Sequence, residues 1–239
     1  MKTVGGSCFR SSFGFSRKRT VIALLLLLPT AGVLHAQSAG KAPATVSFTL
    51  DFPNSIPDHY TITVASDGHA TYDSTGKLTP EGEAPEPFHY DFQLSLLTET
   101  KIFDLAGKAK YFEGKIDSGK KNLAFTGQKT LVYKDATRTT KAEYNYSPNV
   151  PVQELTALFQ NLSTTLEFGR RLDYYHHYQK LALDDELKRM EEQNREGSLV
   201  EVQAVAPILR VIANDNSVVN VARARAQRLM MTKVEAGTH

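Results

Sequence analysis

Thr63-Val-Ala-Ser-Asp-Gly-His-Ala-Thr-Tyr72 turns the chain back on itself, and the way it does so sets the fold class. Asp67-Gly68 marks a hairpin. A two-residue loop would place Val64 opposite Thr71 and Ile62 opposite Asp73, mixing apolar and polar residues on one face. A three-residue loop, Ser66-Asp67-Gly68, instead sets Val64 against Ala70 and Ile62 against Tyr72, so face matching selects it. Gly68 must then take a left-handed φ, open to it because it lacks a Cβ. An antiparallel sheet is implied.

Upstream, Tyr60, Ile62 and Val64 alternate with polar residues, and Val46, Phe48, Leu50 and Phe52 alternate with Ser47, Thr49 and Asp51. This is the period of a strand with one buried face. Pro53 and Pro57 bracket the connection. Downstream, Leu78 to Pro87 reads as a solvated loop of prolines and acids, and Phe88, Tyr90, Phe92 and Leu94 resume the alternation. A short helix follows, capped by Ser95 or Thr98, with Leu97, Ile102, Leu105 and Ala106 as its apolar stripe and its end near Gly107 or Lys110. Tyr111-Phe112 should fold back on the core. Leu123-Ala-Phe125, Thr130-Leu-Val-Tyr133 and Thr139 to Tyr146 read as three more strands.

At Pro151 the apolar period changes to 3.6. Leu155, Phe159, Leu162, Leu166, Leu187 and Met190 share one face. The run predicts one long helix, or two in line, with Gly169 allowing a bend or a close crossing and Gly197 ending the segment. Leu199 to Ile212 and Ser217 to Met231 form a final helical pair joined at Asn214-Asp215-Asn216, and the chain frays from Ala236. That pair resembles one HEAT-type unit, whereas a self-supporting solenoid needs about three, so it reads as a capping hairpin. The expected fold is α+β: an antiparallel sheet of about six to seven strands packed with one short helix and one long helix, followed by a C-terminal helical hairpin. Residues 45–150 hold the sheet and one helix, and 151–235 form the helical region that packs on it as a single unit.

Arg17, Lys18 and Arg19 run into Val21-Ile22-Ala23 and the leucines Leu24 to Leu28, which is the layout of a secretory signal peptide. Pro29 and Gly32 interrupt the apolar stretch, which falls short of the roughly 20 residues a spanning helix needs. Residues 1–36 are therefore expected to be removed at Ala36, with an uncleaved anchor as the rival reading, and 37–44 to form a flexible lead-in. The sole cysteine, Cys8, and five of the 28 basic residues precede position 37, while all 26 acids follow it. The mature chain would carry a net charge of −3 and no thiol. That disfavours a basic nucleic-acid surface and excludes disulfides, thiol nucleophiles and cysteine-ligated zinc.

Thr130-Leu-Val-Tyr-Lys-Asp135, Tyr144-Asn-Tyr-Ser-Pro148, Ser163-Thr-Thr-Leu-Glu-Phe-Gly-Arg-Arg171 and Tyr178-Gln-Lys-Leu-Ala-Leu-Asp-Asp-Glu-Leu-Lys188 resemble segments of a group of uncharacterised exported bacterial proteins. These segments span most of the mature chain. The resemblance implies export, to the periplasm or the extracellular space, and an α+β domain of unknown function with a helical C-terminal region. It brings no catalytic residues with it.

The richest chemical cluster is Asp173-Tyr-Tyr-His-His-Tyr178 with Asp184-Asp-Glu186. On a continuous helix Asp173, His177 and Asp184 would form a column of metal-ligand type, but Lys180 interrupts it. A salt bridge from Lys180 to Asp173 or Asp184 is the simpler reading, and His176 falls on the apolar stripe as a packing histidine. His59, His69 and His89 share the sheet face opposite the aromatic residues, the default place for histidines on a half-exposed sheet. Glu81, Glu83 and Glu86 lie in a loop with no apolar wall to raise a carboxylate pKa. No nucleophile elbow, phosphate loop or EF-hand pattern occurs.

Arg171, Tyr174, Tyr175 and Tyr178 form the candidate interaction surface, because tyrosines bring apolar area with a polar tip. No catalytic, cofactor-binding or metal residue is assigned. The expected function is an exported, non-catalytic binding or protein-interaction protein with an envelope or extracellular partner, no nucleic acid and no membrane span after cleavage. The alternative is an exported hydrolase or metal-dependent enzyme with a site built from His59, His69, His89 or His176. A deep pocket joining a histidine to a carboxylate would favour the enzyme; a shallow surface with exposed tyrosines and leucines between Leu172 and Met190 would favour binding.

Overall fold

In the computed structural model residues 43–78 and 86–231 are described. The leader, Cys8, Ala36, residues 37–42, Glu81, Glu83 and the last eight residues lie outside them. Six strands form one sheet: β1 (Thr45–Asp51), β2 (His59–Ala65), β3 (His69–Gly76), β4 (Glu86–Gln93), β5 (Gln128–Lys134) and β6 (Thr139–Tyr144). Their order is β4-β3-β2-β1-β5-β6, and every pair is antiparallel. The hairpin register is the one that face matching selects. Val64 faces Ala70, Ile62 faces Tyr72, and Gly68 has φ +82°.

Alternation places Val46, Phe48, Ile62, Val64, Tyr72 and Leu131 wholly inside, while Thr49, Thr61, Thr63 and Thr71 stay half-exposed on the other face. There Thr49 bonds Thr61 and Ser47 bonds Thr63, each at 2.9 Å across the β1–β2 pair. The five helices are α1 (Leu96–Lys108), α2 (Val150–Tyr178), α3 (Leu183–Arg195), α4 (Ala206–Asn214) and α5 (Asn220–Met231). Phe159 of α2 stacks on Phe48 of β1 with ring centroids 5.3 Å apart. The mixed α+β architecture is thus as expected. Among the described residues, no helix is long and apolar enough to cross a membrane.

Three local expectations are corrected. Leu123-Ala-Phe125 is not a strand: both large side chains are exposed, and the local backbone bonds to a side chain instead of a ladder. The Asn145 amide accepts from Thr126 N–H at 2.9 Å and donates to the Ala124 carbonyl at 3.0 Å. In α1, Ser95 is the N-cap, accepting from Thr98 N–H at 3.3 Å, but Leu97 is exposed and Thr98 is buried in its place. The cause is distant in sequence. Glu201, itself buried, takes hydrogen bonds from the hydroxyls of Ser95 (2.5 Å) and Thr98 at the positive end of the α1 dipole.

The long helical run is neither one helix nor two in line. Gln179 leaves helical geometry (φ −144°, ψ 58°), a 3₁₀ turn spans Lys180–Ala182, and α3 folds back against α2 so that Arg171 meets Glu186 at 2.6 Å. The reversal is driven by burial, because Leu183, Leu187 and Met190 are fully enclosed in this arrangement. It also dissolves the supposed metal column. Asp184 pairs with Arg225 at 2.9 Å, and Lys180 bonds Asp215 at 2.7 Å rather than Asp173 or Asp184.

Gly169 serves a close crossing rather than a bend. A Cβ there would lie 2.5 Å from Val205 Cγ1 and 3.1 Å from its Cβ, a distance no packed pair of carbons tolerates. Gly169→Ala should therefore lower stability by about 1–3 kcal/mol in urea unfolding, and Val205→Ala in the same chain should recover part of that loss. Equal stabilities for the single and double variants would refute the contact.

Candidate functional site

The candidate site begins with a buried carboxylate. Glu167 sits on the sheet-facing side of α2 and is 2 % exposed. Its Oε1 accepts from the hydroxyls of Tyr72 (2.8 Å) and Ser74 (2.9 Å), both on β3, and Ser163 lies 3.0 Å from the same tyrosine oxygen. Burial and the neighbouring carboxylate raise the Tyr72 pKa well above its usual value, so the phenol stays a donor. Glu167 Oε2 has no hydrogen-bond partner; its nearest cation is Arg170, with Nη1 at 3.7 Å. Such a pair attracts electrostatically but is too long for a hydrogen bond.

Arg170 is also buried, at 7 % exposure. Its Nη2 donates to the Glu86 carbonyl at 3.1 Å, its guanidinium lies 5.2 Å from the centre of the Phe88 ring, and its Nη1 has no acceptor. The arginine forms part of the wall of a half-open groove of about 670 Å³. The start of β4 supplies Phe88 and Tyr90, whose rings stack with centroids 6.2 Å apart; α2 supplies Leu166, and α4 supplies Ile208 and Val211. Tyr90 donates to the Ala204 carbonyl at 2.8 Å, which ties the β4 wall to the 3₁₀ turn Val202–Val205. The volume lies in the range of small-molecule sites, and the lining matches their usual composition, apolar with a few polar groups.

One lining residue, His176, also belongs to a polar cluster. His176 Nε2 lies 2.9 Å from Asp215 Oδ2, the same oxygen that accepts from Lys180, while its Nδ1 is buried without a partner. Ser217 donates to Asp215 Oδ1 through both its hydroxyl (2.7 Å) and its backbone N–H (2.8 Å). The Lys180 ammonium first, and then these donors, hold the Asp215 carboxyl far below the ordinary aspartate value. His176 is thus a half-buried histidine tied to a carboxylate, not one that only packs.

The candidate interaction residues divide. Tyr174 and Tyr178 lie at the groove with ring centroids 5.1 Å apart, and Tyr178 and Leu181 next to it are among the most exposed large side chains. Tyr175 packs half-buried against the core. Arg171 points elsewhere: it bonds Glu186 at 2.6 Å, covers the Phe168 ring at 4.7 Å and lines a separate hollow of about 330 Å³. Sequence reasoning missed Glu167, Glu201 and Asp215. Ser74 carried a signal, since it continues the inward register of Ala70 and Tyr72, and a polar residue at a core position needs a partner.

The three sheet histidines do share the outer face. His89 lies between Asp73 (2.6 Å) and Asp91 (3.2 Å), His69 is 3.8 Å from Asp91, and His59 contacts Asp51. Among the described residues, no group of histidines and carboxylates is arranged to hold a metal ion. No protein-family model matches the chain, and no curated protein matches it in sequence.

The hydrogen bond His89 donates to Asp73, followed by the one to Asp91, raises its pKa. This contact therefore stabilises the fold below the free-histidine value near 6.5 and fades as pH rises through the His89 midpoint. NMR titration should give His89 a midpoint above that value, and Asp73→Asn should lower it. An unchanged midpoint in the variant would remove Asp73 as the cause.

Proposed function

We propose that this chain is an exported, non-catalytic binding protein whose ligand seat is the groove between β4, α2 and α4. Export rests on the leader and on the resemblance to exported bacterial proteins. The observation that carries the binding reading is the half-open groove of about 670 Å³ itself, walled by Phe88, Tyr90, Leu166, Ile208 and Val211 with few polar groups among them. The exposed Tyr178 adds apolar area at the groove wall, which suits a ligand or partner larger than the groove itself.

His176 and Asp215 give the enzyme reading its one specific support, since a histidine held by a carboxylate at a pocket can act as a base. Two features weigh against it. Lys180 shares the Asp215 oxygen that His176 contacts, and among the described residues no serine, threonine or cysteine lines the groove to serve as a nucleophile.

The mature protein should bind one equivalent of the neutral fluorophore N-phenyl-1-naphthylamine, with blue-shifted emission. Val211→Glu, a change at an exposed groove residue, should abolish binding without altering the circular dichroism spectrum. No binding by the unaltered chain, or full binding by the variant, would defeat the groove as the seat. Turnover of p-nitrophenyl esters that disappears in His176→Gln would replace the binding reading with the enzymatic one.

A further inference from the structure

We propose that the hollow of about 330 Å³ between α2, α3 and the β1–β2 connection is a second binding site, for a small molecule with an oxyanion head, a carboxylate or phosphate, on an apolar body. The charge that selects the head comes from an unequal ion cluster. Glu186 is wholly buried and is met by two guanidiniums, Arg171 with Nε 2.6 Å from its Oε1 and Arg189 with Nη2 at its Oε2. Two cations on one carboxylate leave one positive charge over. The other charged residue of the wall, Glu167, is balanced by the buried Arg170 beside it and accepts from Tyr72 and Ser74. The excess is therefore presented at the hollow, which both arginines of the cluster line.

The donors are open to solvent as well as unspent. The side chain of Arg189 is 62 % exposed and that of Arg171 18 %. Among the described residues, the two terminal nitrogens of Arg171 and the Nε and Nη1 of Arg189 make no hydrogen bond, and neither nitrogen of the Arg171 pair is sealed from solvent. Arg171 also lies over the Phe168 ring at 4.7 Å, which with its bond to Glu186 fixes the plane of the fork. The amides of Gln160 on α2 and Gln193 on α3 line the same hollow and likewise have no hydrogen-bond partner among the described residues. An oxyanion brings the acceptors that these groups lack, and charge-assisted bonds to a guanidinium fork are the strong ones. Phe52 and the exposed Ile56, from the β1–β2 connection, supply an apolar wall for the body of the ligand.

The test is titration calorimetry of the mature protein at low salt and pH 8 with benzoate and benzamide, which share a shape and differ in charge, and with phenyl phosphate. An anion should bind with one equivalent, and benzoate at least about tenfold more tightly than benzamide. Binding of one anion alone supports the site and names its head. Arg189→Gln leaves the buried Glu186 paired with Arg171 and should weaken the anions at least about tenfold. Lys141→Gln removes the same charge from the exposed face of β6 and should leave their affinity unchanged. Benzoate and benzamide binding equally, neither anion binding, or an equal loss in the two variants would overturn the site. Displacement of N-phenyl-1-naphthylamine by the anions would place them in the groove and overturn the hollow as their seat. If Arg189→Gln proves unfolded by circular dichroism, the ligand series on the unaltered chain still decides.

Discussion

The fold turns on how a carboxylate is kept inside it. Glu167 lies between α2 and the sheet with almost no exposure, and an unaided ionised carboxylate there would cost several kcal/mol. Tyr72 and Ser74, two residues apart on the inward face of β3, both donate to its Oε1. Because those hydroxyls are fixed by the strand, only one turn of α2 can sit over them. The helix is thereby registered against the sheet, and its last three turns run past the start of β4, where Arg170 meets Phe88 and Glu86. Apolar packing alone, as between Phe48 and Phe159, tolerates sliding far better than this directional network does.

The overhang of α2 becomes a groove because other elements close it from the side. Gly169 lets the 3₁₀ turn carrying Val205 approach α2 to within the space of a missing methyl group, and α4 follows that turn directly. Glu201 anchors the same segment at its other end by capping α1 across more than a hundred residues of sequence. The helical region is thus fastened to the sheet layer at both sides of the site. Asp215, at the turn between α4 and α5, ties down the place where α2 ends, contacting His176 of the helix and Lys180 of the 3₁₀ turn beyond it.

The sheet was legible because its information is local. Period-two alternation and a hairpin whose faces had to match gave the strands and the β2–β3 register, and Gly68 followed from the loop length. The helices were legible as elements but not in their turning. Leu155 to Met190 keeps its apolar face through a run that nevertheless reverses at Gln179, and no proline or glycine marks the place. What decides there is the burial of Leu183, Leu187 and Met190 against α2 and α5, a long-range gain that a helical period cannot record. Leu97 failed for the mirror-image reason, since its neighbour Thr98 is drawn inward by Glu201 from another part of the chain.

The site shows the same division. Tyr174 and Tyr178 could be picked out as adjacent aromatics, but the tertiary partners that give the groove its chemistry, Glu167 with β3, Arg170 with β4 and His176 with Asp215, come from segments more than thirty residues apart. These polar groups are also unequally satisfied. Glu167 Oε1 and Asp215 accept from several donors each, whereas Glu167 Oε2, Arg170 Nη1 and His176 Nδ1 have no hydrogen-bond partner. A network serving stability alone gains by pairing every buried member, and leaving one open costs about 1–3 kcal/mol each. Arg170 and His176, two of the three residues with an unpaired buried atom among those described, also line the groove, so that polar cost is concentrated behind the apolar wall that the fold leaves open to solvent.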